Sequence, residues 1–110
     1  MSITNEVREV FRKLPTVFVS EKADDLDAAI QIELSGEGAS LWAIKIADGN
    51  ISVAEGRVDT PNMTLQMEAN DYLALTRGEA NPMNLFATGK IRFQGDLGLA
   101  MRFQQMFRRQ

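Results

Sequence analysis

The spacing of apolar positions divides the chain into a helical opening, a strand-rich middle and a mixed C-terminal part. Ile3, Val7, Val10, Phe11 and Leu14 recur at i, i+4, i+7, i+8 and i+11, one face of an amphipathic helix that Pro15 is expected to end. The polar stretch SEKADDLD (20–27) reads as loop-like or capping. The period then changes to two. Ala28, Ile30, Ile32 and Leu34 alternate with Ala29, Gln31 and Glu33, and Trp42, Ile44 and Ile46 repeat the pattern in SLWAIKIA (40–47). Asp48-Gly49-Asn50 marks a hairpin before ISVAE (51–55), since Asp-Gly favours turns that need positive φ. These segments predict an antiparallel meander with one face toward water.

MTLQME (63–68) predicts a fourth strand with Met63, Leu65 and Met67 inward. NDYLALTRG (70–78) predicts a short helix with Asn70 as N-cap and Gly78 as its stop. NPMNLFATG (81–89) predicts another, capped by Asn81, with Pro82 at the first helical position and Gly89 beyond the end. KIRFQG (90–95) is a fifth strand presenting Ile91 and Phe93 inward, and Asp96 caps a final helix. The expected class is α+β: a five-stranded, mostly antiparallel sheet with helices covering one face.

The final helix carries too much apolar surface. Leu99, Ala100, Phe103, Met106 and Phe107 cover one arc, and Leu97 and Met101 add a neighbouring patch. At 100° per residue these span roughly 220°, against the ~100° or slightly more that a surface helix buries. Three uses compete: a place deep in the core, the wall of a cavity for an apolar ligand, or a dimer contact. Met63, Met67, Met83, Met101 and Met106 suit a pliable lining and suit ordinary core filling equally.

Composition narrows the chemistry. The 110 residues fit one domain, 1–110. The absence of Cys excludes disulfides and thiolate sites, and the absence of His removes the usual general base and zinc ligand. Asp24, Asp25 and Asp27 lack the spacing, the glycine and the terminal Glu of a calcium loop. Tyr72 with Asp71 is the one acid–base pair worth naming, and adjacent helix positions do not face one another. No metal and no cofactor are expected.

The net charge of −3 argues against nucleic acid as a partner, but the sign is uneven. Up to Leu85 there are 7 basic and 14 acidic residues; from Phe86 onward 5 basic residues face Asp96 alone. That basic end leaves transient contact with an anionic membrane surface open, beside the plainer reading of arginines near a helix C-terminus. A homodimer contact is open too. No apolar run reaches membrane-spanning length, MSITNEVREVF lacks a signal core and RRQ is no targeting tail, so the cytoplasm is the expected location.

The order of residues adds a resemblance. NMTLQMEANDYLALTRGEANPMNLFATGKIRFQGDLGLAMRF resembles the sterol carrier protein 2 (sterol transfer) domain family, with Phe86, Gly89, Lys90, Gly95, Asp96, Leu99 and Ala100 at matching places. Upstream, IQIELSGEG, LWAIKIADGNISVAEG and DTPNMTL look like the family as well; Asn62 stands where the family commonly has Asp. The resemblance implies a hydrophobic tunnel between sheet and helices. It implies non-catalytic binding and transfer of a lipid or fatty acyl ligand, sterol-like or isoprenoid cargo included. Residues expected to line the tunnel are Trp42, Leu65, Met67, Phe86, Phe93, Leu99, Met101, Phe103 and Met106. Gln104, Gln105 and Arg108 are candidates for headgroup contact, while Lys90 and Arg92 either meet phosphate or project into water.

Overall fold

The computed structural model describes residues 2–23 and 25–106, except the side chain of Gln104. Helix α1 (Ile3–Val17) starts at Ser2, whose hydroxyl accepts from the Asn5 N–H at 3.2 Å. It runs through Pro15 rather than ending there. Proline removes one helical hydrogen bond, but only part of a turn follows it, and there the Thr16 hydroxyl donates to the Lys13 carbonyl at 2.6 Å. Within the stretch expected to be loop-like or capping lies a single turn, α2 (Ser20–Ala23), too short to leave a periodic pattern.

The strands are β1 (Ala28–Ser35), β2 (Ser40–Ala47), β3 (Asn50–Glu55), β4 (Met63–Glu68) and β5 (Arg92–Gly95). Their order in the sheet is β3-β2-β1-β4-β5. β1 and β4 are parallel and every other pair is antiparallel, so the mixed sheet is mostly antiparallel as expected. The β2–β3 hairpin turns on Asp48 (φ 55°) and Gly49 (φ 76°), two consecutive positive values as a type I′ turn requires.

The crossover from β3 to β4 rests on the outer face of the sheet, which is therefore not uniformly wet. Gln31, an outward position in β1, is buried: its amide donates to the carbonyls of Trp42 (3.1 Å) and Gly56 (3.0 Å), and its oxygen accepts from Val58 N–H (2.7 Å). Asn62 then joins the crossover to β1, donating from its N–H to the Ala29 carbonyl (2.7 Å) and accepting from Ala29 N–H through Oδ1 (2.8 Å).

Helix α3 (Ala69–Thr76) follows β4 without a loop, so Glu68 is its N-cap and Asn70, the expected cap, lies inside the first turn. Helix α4 (Pro82–Ala87) has the expected cap, Asn81, whose Oδ1 accepts from Met83 N–H (2.8 Å) and Asn84 N–H (3.4 Å). β5 begins two residues later than expected, because the N–H groups of Lys90 and Ile91 both donate to the Leu85 carbonyl and close α4 instead of pairing with β4. Gly95 ends β5 with φ +116°, where a Cβ would lie 2.8 Å from Met63 Cα and closer still to the Asn62 carbonyl. Helix α5 (Leu97–Gln105) follows, capped by Asp96, which accepts from Leu99 N–H. The core lies on the inner face of the sheet, where Ile30, Ile32, Ile44, Ile46 and Met63 meet Val7 and Phe11 of α1. α1 packs on α3 and β3, and α3 on β1 and β4.

Candidate functional site: an apolar strip over the β4–β5 side of the sheet

The strand register sets one row of side chains across the inner face. Trp42 pairs with Ile32, Ile32 with Leu65, and Leu65 with Phe93. At the β2 end this row is sealed. Phe11 stacks on Trp42 with ring centroids 4.3 Å apart and on Tyr72 at 5.0 Å, with the ring planes nearly parallel in both pairs. Trp42 and Met67 are buried. At the β5 end the row is less covered: Leu65 and Phe93 are half-buried, packed against the core but still reaching solvent.

Helix α5 has two apolar faces with different surroundings. Leu99 and Met106 are buried, and Ala100 and Phe103 are half-buried against the core. Leu97 and Met101, four residues apart on the neighbouring stripe, are 61% and 62% exposed. Helix α4 repeats the division, with Leu85 buried while Met83 and Phe86 are 72% and 52% exposed. Cover over the apolar residues is therefore uneven. Trp42, Phe11 and Tyr72 are covered, Leu65, Phe93 and Phe103 partly so, and Phe86 and Met101 largely exposed.

Each expected lining residue has a definite place in this pattern. Trp42, Met67, Leu99 and Met106 are core; Leu65 and Phe93 are paired and half-buried, and Phe103 is half-buried against the core; Phe86 and Met101 are exposed. Of the residues considered for headgroup contact, Gln105 is exposed on the last turn of α5, whereas Arg108 and the side chain of Gln104 lie outside the described residues, as does Phe107. Lys90 and Arg92 are exposed. Arg92 lies in register with Gln66, one position away from the inner row. The pattern of apolar residues did not point to Arg102, which donates to the Ala23 carbonyl at 3.1 Å while Met106 accepts from Val19 N–H at 2.7 Å. These two bonds fasten α5 to the segment joining α1 and β1.

Two clefts open near the ends of the β1–β4 pair. A cleft of about 660 Å³ lies at their C-terminal ends, where Leu34, Leu41 and Met67 meet Glu33, Lys90 and Arg92. A smaller one of about 270 Å³ lies at the start of β1 and α5, where Leu26, Ala28 and Leu99 meet Asp27, Asp96 and Arg102. Met67 reaches the first cleft and Leu99 the second.

The polar chemistry nearby is limited. Burial pushes the Tyr72 phenol well above its ordinary range, which keeps it neutral at physiological pH and unsuited to act as a base. Asp71 faces the larger cleft instead of pairing with it. Among the described residues no group of carboxylates is arranged to hold a metal ion, and no helix is long and apolar enough to cross a membrane.

Comparison with known proteins agrees with this architecture. Hydroxysteroid dehydrogenase-like protein 2 of Xenopus tropicalis is 24% identical over 104 residues, which is 94% of this chain but 25% of that protein; the chain thus spans about a quarter of this relative. The crystal structure of Sterol Carrier Protein 2 Like 2 from Aedes aegypti superposes with a TM-score of 0.78 at 17% identity, covering 96% of each chain. The solution structure of Sterol Carrier Protein-2 from the same species in complex with palmitate superposes with a TM-score of 0.63 at 19% identity, covering 92% of this chain and 91% of that one. The model of the SCP-2 sterol transfer family matches residues 11–108, nearly the whole of the sheet and its helices, and the chain belongs to that family.

Proposed function

We propose that this chain binds a lipid through its acyl chain, laid along the half-buried strip between the β4–β5 side of the inner sheet face and α5. The observation that carries the reading is the loss of cover along the inner row, from the sealed Trp42 to the half-buried Leu65 and Phe93. On the helices that precede and follow β5, Phe103 is half-buried and Phe86 and Met101 are exposed. A family relative that takes palmitate on the same fold supports it. In this reading Leu65, Phe93 and Phe103 wall the chain. Trp42, Met67, Leu99 and Met106 back them, and Phe86 and Met101 form the rim.

Such binding needs no bond-making step. Removing an acyl chain from water contributes about 0.8 kcal/mol per methylene, so ten methylenes supply roughly 8 kcal/mol before ordering costs. Ordering costs of several kcal/mol come off that gross figure, so about micromolar affinity, tight enough to hold cargo and weak enough to release it, asks for a chain longer than ten methylenes. Walls made of Leu, Phe and Met select for length and bulk more than for headgroup, so fatty acids, acyl thioesters and isoprenoids are all in range. Carriage between membranes, or delivery to an enzyme, is the use this affinity suits.

The test is native mass spectrometry of freshly purified protein with solvent extraction, followed by titration with palmitate read through Trp42, the single tryptophan. An adduct in the lipid mass range and saturable palmitate binding are expected. Leu65→Trp fills the strip and should weaken palmitate about tenfold or more with little change in melting temperature, its binding followed by native mass spectrometry because the variant carries a second tryptophan. Protein that carries no lipid and takes up no palmitate overturns the reading. A ligand-free dimer would instead make the exposed Leu97–Met101 stripe a subunit contact.

A further inference from the structure

We propose that the cleft of about 660 Å³ at the C-terminal ends of β1 and β4 is a second binding site, for a phosphoethanolamine group, a phosphate joined to a primary ammonium. Leu65, Phe93 and Phe103 do not line this cleft, so the proposal stands whether or not the strip holds an acyl chain.

The charges around this cleft cancel, and they are sorted by element. Glu33 is already engaged: its Oε1 accepts from Gln66 Nε2 at 2.7 Å and its Oε2 lies 3.8 Å from Arg57. Two carboxylates and two cations remain. Glu68, the N-cap of α3, and Asp71, in its first turn, come from the β4–α3 junction. Lys90, whose N–H closes α4, and Arg92, the first residue of β5, come from the α4–β5 junction. Although all four line one cleft, none of them makes an ion pair or a side-chain hydrogen bond among the described residues. Opposite charges thus surround one cavity without being close enough to pair. Leu34 and Met67, each 5% exposed, reach the same cavity from the core.

A ligand of one sign would meet as many repelling groups here as attracting ones. A ligand carrying both signs is attracted at each end, its phosphate by Lys90 and Arg92 and its ammonium by Glu68 and Asp71. The carboxylates decide which ammonium. They accept N–H bonds, which a primary ammonium offers and a quaternary one lacks. A quaternary group is held instead by aromatic faces, and no aromatic residue is among those lining the cleft. The volume lies within the range of about 300–1,000 Å³ of small-molecule sites and leaves room for glycerol beyond the phosphate. The same group reaches a protein free in water, as glycerophosphoethanolamine, or as the head of a phospholipid.

The experiment follows backbone amide shifts of the full chain by NMR during titration with glycerophosphoethanolamine, glycerophosphocholine and inorganic phosphate. Saturable shifts at Asp71, Gly89 and Lys90 are expected with glycerophosphoethanolamine, at a Kd of about a millimolar. Glycerophosphocholine should bind about fivefold or more weakly. Glu68→Gln with Asp71→Asn, and separately Lys90→Gln with Arg92→Gln, should each weaken glycerophosphoethanolamine about tenfold. The first pair should at the same time strengthen inorganic phosphate, because it leaves the cations unopposed, a gain that damage to the fold would not produce. Unaltered melting temperatures verify that the variants fold. No saturable shift by about 10 millimolar, equal binding of the two glycerophosphodiesters, or a first pair that gains no phosphate overturns the proposal. Co-sedimentation with vesicles of phosphatidylcholine, alone or mixed equally with phosphatidylethanolamine, assigns the source. Enrichment on the mixed vesicles that either variant pair removes places the group on a lipid, and equal sedimentation leaves the free compound as ligand. Palmitate uptake by the same variants should stay within about twofold of wild type, so failure of the acyl strip and failure of this cleft are read separately.

Discussion

Gln31 occupies an outward position of β1 yet is only 3% exposed, with its amide bonded to the Trp42 and Gly56 carbonyls and its oxygen to Val58 N–H. A buried amide in that place is tolerable because every arm is matched. Gln31→Leu keeps the volume and removes the matches, leaving Val58 N–H and the Gly56 carbonyl to find water under a loop. We expect a loss of about 2–4 kcal/mol, seen as a lower midpoint in urea with a similar slope. Tyr72 gives the second prediction at this scale. Burial raises its phenol above the ordinary 10.0, so the folded state keeps the proton that the unfolded chain gives up. Its contribution is therefore fully present below pH 10 and is lost as pH climbs beyond it. Tyr72→Phe should flatten this alkaline decline while leaving neutral behaviour in place. Because Tyr72 is the single tyrosine, tyrosinate absorbance reports its titration without overlap.

Elements differ in how far local pattern dictates them, and α5 is the instructive case. Its dual apolar surface is plain in the sequence, but which stripe is buried is set by tertiary packing, which no local window contains. Leu99 and Met106 went under, whereas Leu97 and Met101 stayed in water. What holds α5 down is also non-local: Arg102 reaches the Ala23 carbonyl, 79 residues away in sequence. Arg102→Ala should cost about 1–2 kcal/mol locally, read as faster amide exchange in α5 with the central strands unchanged. The strands themselves were legible nearly to the residue, because alternation with a period of two is imposed by the pleat and one buried face enforces it. The parallel β1–β4 pairing was not, since it comes from a crossover fixed by Gln31 and Asn62, polar residues that alternation assigns to water. The helix boundaries at Pro15 and Asn70 moved for a related reason. A proline near a C-terminus removes little, and a strand that runs directly into α3 needs no side-chain cap. For the site, the apolar identity of Leu65, Phe93 and Phe103 was readable, and their partial cover was not.

At the scale of the whole molecule the proposed acyl site and the core share one continuous apolar layer, because Leu65 and Phe93 belong to the same register row as Ile32 and Trp42. A ligand in that strip would complete the core rather than decorate it, and binding should therefore appear as stability. With ligand at a hundred times its dissociation constant, binding to the folded state alone adds about 2.7 kcal/mol. For a domain near this size that is a rise in melting temperature of roughly 10 °C. Protein stripped of lipid by extraction and refolding should melt lower by about this much than protein as purified, and added palmitate should restore the difference. The rise should follow the logarithm of ligand concentration, the signature of mass action, and Leu65→Trp should remove the dependence while itself raising or preserving the melting temperature of the stripped protein. A stripped protein that melts where the purified one does, and ignores palmitate, would mean that the strip is already complete as core.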